Sequence, residues 1–427
     1  MRRWIASIAL LLCLLCPASA EDDLPPVYGA DNGSENGDDG LPPVYGEADA
    51  GGNTQQGGDG DEDGEFSLEA LFGEGLEFLG ELDLWGRYYA TDDDELGTYA
   101  QARFDLTSRS GPTKVQLTLV ADAFGGYDEL YAAGGELQFE LDRAAVSWDI
   151  DWLELTLGRQ KLARGPGYLF NPSDLYNNAS FTDPTIEDPG VDALSSQIYL
   201  GRFTGFELAA VPARQAVDGD YGLRFFTNLG GFDLSLAYHH LGDYAPATRA
   251  HFVSCWSYGD IVIGDWDGPG LWLELGYDLP YSDELEVEEA WRLGAGLEYT
   301  FGEHVTALVE YYHDAAGAAE FADYDWTALA SGGRLVLGRD YLFASVDFDL
   351  GSLIVANVLG LLNPADGSGV AGPSVRFDLS NNVDATLGGF YFFGGEESEF
   401  GHDGIDLGLY RLPAYPPMAY LRVEAAF

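Results

Sequence analysis

Lysine is nearly absent from this chain, appearing only at Lys114 and Lys161, and cysteine occurs three times in 427 residues. Two of the cysteines, Cys13 and Cys16, fall inside the N-terminal stretch MRRWIASIALLLCLLCPASA. Its Arg2 and Arg3, apolar run and Ala18-Ser19-Ala20 ending read as a cleavable signal peptide over residues 1–20. Cys255 is then the one thiol of the mature chain, which excludes an intramolecular disulfide even where the compartment permits one. Beyond residue 20 no run approaches the roughly 18 apolar residues a membrane helix needs. A helical membrane protein is therefore excluded. Basic charge is the third shortage: 20 Lys and Arg stand against 72 Asp and Glu, for a net charge of −52. A field of that sign repels nucleic acid and favours cations, although an acidic surface suited to a salty or calcium-rich medium accounts for it equally well.

What remains is apolar and aromatic enough, at 46% and 14%, for one large folded unit. The acidic excess is uneven. Residues 21–65 hold 14 acidic side chains and no basic one, are rich in glycine, and contain the hexapeptide LPPVYG twice, at Leu24–Gly29 and Leu41–Gly46. Self-repulsion and glycine entropy oppose compaction, so this is expected to be a disordered acidic linker. Tyr28 and Tyr45 are the anchors if the repeat docks a periplasmic partner; duplication within a linker is the simpler origin. Residues 66–80 place Leu68, Leu71, Phe72 and Leu79 at helical spacing, interrupted by Gly73 and Gly75. They are expected to form a short periplasmic lead-in.

From residue 81 to 427 the period changes to two. In Glu136–Asp142, Leu137, Phe139 and Leu141 alternate with Glu136, Gln138, Glu140 and Asp142, and in Lys114–Leu119, Val115, Leu117 and Leu119 alternate with Lys114, Gln116 and Thr118. Such segments recur with Gly, Asp, Asn and Pro between them, the pattern of an all-β transmembrane antiparallel β-barrel. About sixteen strands are counted, within a range of 14 to 18. Aromatic residues at the edges of the lipid-facing band are expected from Trp85, Tyr88 and Tyr89 and from Phe390, Tyr391, Phe392 and Phe393. The physics agrees with closure, because in hydrocarbon every backbone donor and acceptor must be satisfied internally.

The chain ends AYLRVEAAF. Tyr420, Leu421, Val423 and the terminal Phe427 resemble the C-terminal signal of bacterial outer-membrane barrels, which implies recognition by the barrel-assembly machinery. Residues 158–174 read GRQKLARGPGYLFNPSD. Here the chain resembles the alginate-export-type and related porin-like outer-membrane barrel families on Gly158, Arg159, Gln160, Gly165, Gly167, Phe170, Asn171, Pro172 and Asp174, with Arg164 where those families place a tryptophan.

Independently of that resemblance, Arg164 to Leu194 is a stretch without a clear strand, too long for an ordinary connection. It is expected to fold into the lumen as a pore constriction, its acids Asp174, Asp183, Glu187, Asp188 and Asp192 facing Arg143, Arg159, Arg164 and Arg202 on the wall. A loop lying outside the barrel is the alternative.

Catalytic chemistry has little support. His239 and His240 are adjacent on one strand and face opposite sides, and His251, His304, His313 and His402 lack the surroundings of a serine hydrolase or zinc protease motif. The cluster Asp92-Asp93-Asp94-Glu95 lacks the spacing of a calcium loop and reads as a solvated turn. No enzyme activity, cofactor or metal is expected. The expected function is a porin-like channel for passive or facilitated passage of small hydrophilic solutes; the alternative is a non-conducting barrel serving as surface adhesion or structural anchor. The expected partners are the outer-membrane lipid bilayer, the assembly machinery, the solutes and further copies as a homo-oligomer. The expected location is the outer membrane of a Gram-negative-type bacterium, with the N-terminal tail in the periplasm.

Overall fold

A computed structural model describes residues 75–427 except residue 92 and residues 129–135, 177–188, 214–218, 243–248, 264–265, 281–290, 331–333 and 409–410. The acidic linker and its repeat lie outside the described residues.

Eighteen antiparallel strands form one sheet that closes on itself. In chain order they are β1 Leu76–Tyr89, β2 Glu95–Ser110, β3 Thr113–Gly126, β4 Leu137–Ile150, β5 Leu153–Gln160, β6 Val191–Tyr199, β7 Gly205–Val211, β8 Asp220–Leu229 and β9 Phe232–His240. The second half comprises β10 Arg249–Ile263, β11 Trp266–Pro280, β12 Trp291–Phe301, β13 Val305–Asp314, β14 Asp340–Asp349, β15 Ile354–Asn363, β16 Ser368–Ser380, β17 Val383–Phe393 and β18 Met418–Ala426. Each strand pairs with its neighbours in sequence, and β18 pairs with β1 from Glu81↔Ala426 to Tyr89↔Met418. The amide of Gly80 donates to the Phe427 carbonyl, and that of Phe427 donates to the Gly80 carbonyl, both at 2.8 Å. The terminal residue thus completes the seam. The count is two above the expected sixteen and within the expected range. β1 begins at Leu76, so residues 76–80 belong to the wall and not to a helical lead-in.

The two ends of the barrel differ. At the end holding Leu76 and Phe427 the connections span two to five residues, whereas at the other end they include 161–190, 315–339 and 394–417. Side chains are arranged inside out: Phe139 is 77% exposed and Leu157 62%, while Glu274 and Glu310 are fully buried. A soluble sandwich would reverse this; an outer surface of leucine and aromatic rings requires lipid.

The aromatic runs divide as period-two geometry demands. Tyr88 and Tyr391 face outward, but Trp85, Tyr89 and Phe390 are buried, and Phe392 packs against the same internal cluster as Trp85 and Phe390. The expectation that all of Trp85, Tyr88, Tyr89 and Phe390–Phe393 form the outer belt is corrected: a contiguous run on a strand cannot place every ring on one face. Trp85, Phe390 and Phe392 join Leu169, Phe170, Tyr312, Tyr341 and Phe343 in one cluster inside the barrel.

Candidate pore constriction

After Gln160 the chain leaves the wall and turns inward. Leu162 is buried with Val191, Ala193 and Val211 of β6 and β7, and Tyr176 packs on the same group, so both limbs of the segment 161–176 start from this side of the lumen. Asp174 ties the limbs together: one carboxylate oxygen accepts the Arg164 amide at 3.1 Å and the other the Tyr176 amide at 3.1 Å. The Arg164 guanidinium pairs with Glu207 of β7, and Arg224 of β8 donates to the same carboxylate at 2.8 Å.

The middle of the segment docks elsewhere. Gly165 has φ of 99°, a left-handed conformation that side chains rarely adopt, and a Cβ there would meet Asn171 and Glu274. The successive amides of Tyr168, Leu169 and Phe170 donate to Glu310 of β13 at 2.6, 3.1 and 2.7 Å, and the Ser173 amide donates to Glu274 of β11. Phe170 stacks on Tyr312 at 4.4 Å and 6°, and Tyr168 on Phe343 of β14 at 5.6 Å. Pro172 rests against wall glycines: a Cβ on Gly294 would lie 3.1 Å from its Cδ, and one on Gly276 would lie 2.9 Å from its carbonyl oxygen. The segment leaves the barrel at β5 and is held by β11 to β14, a third to a half of the way around the ring. It therefore crosses the lumen. Burying a carboxylate is costly unless its oxygens are satisfied, and the peptide amides supply that satisfaction; each hydrogen bond to a charged group contributes about 1.5–3 kcal/mol.

The residues expected at the constriction separate. Arg164 and Asp174 lie in the crossing segment. Arg143 sits beside the β4 bulge, where Asp142 receives both Arg143 at 3.4 Å and Arg103 at 2.9 Å. Arg159 pairs with Glu140 at 3.0 Å and is cross-strand from the exposed Asp192, near the loop end of the wall. Arg202 is corrected: it lies in the short connection after β6, over the Phe203 ring at 5.1 Å, at the opposite end of the barrel. Asp183, Glu187 and Asp188 lie outside the described residues. Glu207, Arg224, Glu274 and Glu310 were missed, because each reads as an ordinary polar position of an alternating strand.

A second group of loops covers part of the mouth. Tyr324, Trp326, Leu329 and Leu337, around the one-turn helix α1 Trp326–Ala330, pack with Ile405, Leu407 and Leu412 from the 394–417 connection. Below them Glu399 is buried, accepting from the Leu337 amide and Asn363 at 2.8 Å each and from the Tyr341 hydroxyl at 2.5 Å. Burial pushes its carboxyl up to about 7 and pushes the nearby loop residue His402 down to about 4. At the other edge, the turn after β1 has Asp94 at φ 51°, accepting the Tyr88 hydroxyl at 2.7 Å.

Base and acid are unequally matched. Arg87, Arg103, Arg164, Arg224, Arg292 and Arg422 each lie in an ion pair, so acidic charge remains in large surplus over the whole chain.

No family model and no curated protein matches the sequence. Among solved structures, the outer membrane protein opdK from Pseudomonas aeruginosa is similar at 12% identity with a TM-score of 0.53, covering 82% of this chain and 98% of that one. The same protein with vanillate is similar at 11% identity with a TM-score of 0.51. A mutant Rh. blastica porin is similar at 11% identity over 82% of this chain and 100% of that one, with a TM-score of 0.46. At these identities the likeness concerns architecture alone: the fold is a closed antiparallel β-barrel similar to that of the outer membrane protein opdK.

Proposed function

We propose that the chain is an outer-membrane channel for the passive or facilitated passage of small hydrophilic solutes, and that residues 161–176 set its narrowest section. The reading rests on one observation, the docking of this segment on Glu274 and Glu310 across the lumen. An eighteen-stranded barrel is wide enough to hold water, and a segment crossing it divides that space. In this reading the short connections face the periplasm and the long loops face outward, as in other barrels of the class. The acidic surplus, with the described arginines of the lumen tied up in pairs, favours cations over anions.

Reconstitution tests this directly. Purified barrel in liposomes is expected to admit small sugars, and in planar bilayers to give discrete conductance steps with a reversal potential on the cation side. Reversing charge at Asp183, Glu187 and Asp188 is expected to move that potential if the rest of the connection also lies in the current path. Tight liposomes and silent bilayers would instead support a sealed barrel acting as a surface anchor.

A further inference from the structure

The outer face of the barrel carries a group of side chains that solute passage does not use. His240 is the last residue of β9 and pairs cross-strand with His251 of β10. Their Nδ1 atoms face one another at 3.5 Å, the outer limit of a hydrogen bond. Two imidazole nitrogens on one tetrahedral metal ion, at metal–nitrogen distances of about 2.0–2.1 Å, stand roughly 3.3–3.4 Å apart. The observed separation is close to that bite, and a small turn of either ring closes it to the roughly 2.8–2.9 Å that neighbouring nitrogens keep on a tetragonal Cu²⁺ ion.

Both rings are already oriented. Tyr221 of β8 stacks on His240 at 6.3 Å and 15°, and Tyr238 stacks on His251 at 5.8 Å and 22°. The Tyr238 hydroxyl lies 2.9 Å from His251 Nδ1, so a third oxygen or nitrogen atom converges on the same place. The tyrosines are 42% and 44% exposed and the histidines half-buried, which leaves the group open to the medium at the loop end of the wall. No third His, Cys, Asp or Glu completes it among the described residues.

We infer that His240 and His251 form a two-imidazole chelate for a borderline divalent transition metal, Cu²⁺ before Zn²⁺ or Ni²⁺, on the outer rim of β9 and β10. Nitrogen donors suit these ions, and their affinity order for a given site places copper first. Among the described residues no carboxylate joins the pair, as an oxygen-seeking ion such as Ca²⁺ or Mg²⁺ would need. The inference does not depend on whether the barrel conducts.

Copper chloride alone, titrated into the folded full-length barrel in a nonionic detergent, is the test. Electron paramagnetic resonance of the bound ion is expected to show coupling to two imidazole nitrogens at one equivalent. His240→Gln and His251→Gln should each reduce the coupling to one nitrogen and weaken binding by about tenfold or more, while His304→Gln, in the short connection after β12, should change neither. The spectrum of the unaltered protein decides the matter even if a variant folds poorly. Absence of the two-nitrogen signature in that protein, or unchanged copper affinity in the double variant, overturns the assignment.

Discussion

Two segments reach over the lumen from the same end of the barrel, residues 161–176 and the cap built from 315–339 and 394–417, and they are held by different forces. The cap has an apolar cluster of its own, Tyr324, Trp326, Leu329 and Leu337, with Glu399 bonded beneath it. The crossing segment has the small group around Leu162 near its base and the rings of Tyr168 and Phe170 stacked on Phe343 and Tyr312, while the backbone of its middle is bonded to two wall carboxylates. A packed cluster loses stability in small steps as methyl groups are removed. A backbone bonded to two carboxylates can be loosened by two substitutions, because the stacked rings that remain leave the amides of Tyr168, Leu169, Phe170 and Ser173 without their acceptors.

That contrast is broken most strongly at Glu310. Glu310→Ala removes three charge-assisted bonds, and amide hydrogen exchange at Tyr168–Phe170 is expected to accelerate by about three orders of magnitude, on the order of 4.5 kcal/mol at the lower end of such bonds. The cap amides should not follow.

The seam comes next. The Phe427 ring fills the space beside Gly80 and lies edge-on to Phe104 at 6.5 Å. Phe427→Ala is expected to lower the yield of folded, heat-modifiable barrel several-fold, read on unboiled gels, both by opening the seam and by weakening the proposed assembly signal.

In the cap, two titrations oppose one another. The Glu399 carboxyl is raised to about 7, so its contribution is fully present below its unfolded value near 4.5 and is lost as pH rises through 7. The His402 imidazole is lowered to about 4, so its contribution is present above 6.5 and is lost as pH falls through 4. Between 6.5 and 4.5 these largely cancel, and cap exchange rates should be nearly level after correction for intrinsic exchange. Glu399→Gln should expose a cap that loosens with acid, and His402→Gln one that tightens.

Smaller effects belong to the wall. Arg164→Ala removes one of the two guanidinium partners of Glu207 and is expected to shift the reversal potential further toward cations by a few millivolts, in the direction set by the lost charge. Arg202→Ala, at the far end of β6, should leave it unchanged.

The wall was largely legible from alternation, because lipid outside and water inside impose a period of two on each spanning strand. Legibility failed where the inside is not wet. β15, IVANVLGLLN, hardly alternates, since its inward Leu361 belongs to the internal cluster and Leu359 packs against it. β6, VDALSSQIY, mixes polar and apolar residues on both faces, Asp192 and Ser196 beside Leu194 on one and Ser195 and Gln197 beside Val191 and Ala193 on the other, and so does not read as a strand alone. The crossing segment announced itself by length and by its Gly-Pro-Gly run, but its docking partners lie more than a hundred residues away. Only closure brings them near. The sole local hint was glycine at the inward positions Gly276 and Gly294, which leave room on the wall for a passing chain.

Single-channel conductance of the Glu274→Ala, Glu310→Ala double variant tests the crossing segment as the narrowest section most directly. Release of the segment should give larger or strongly fluctuating current steps than the unaltered barrel, with the ratio of cation to anion current reduced. Steps of unchanged size and selectivity, from a variant whose 168–173 amides have lost their protection, would mean that the current never passed this segment.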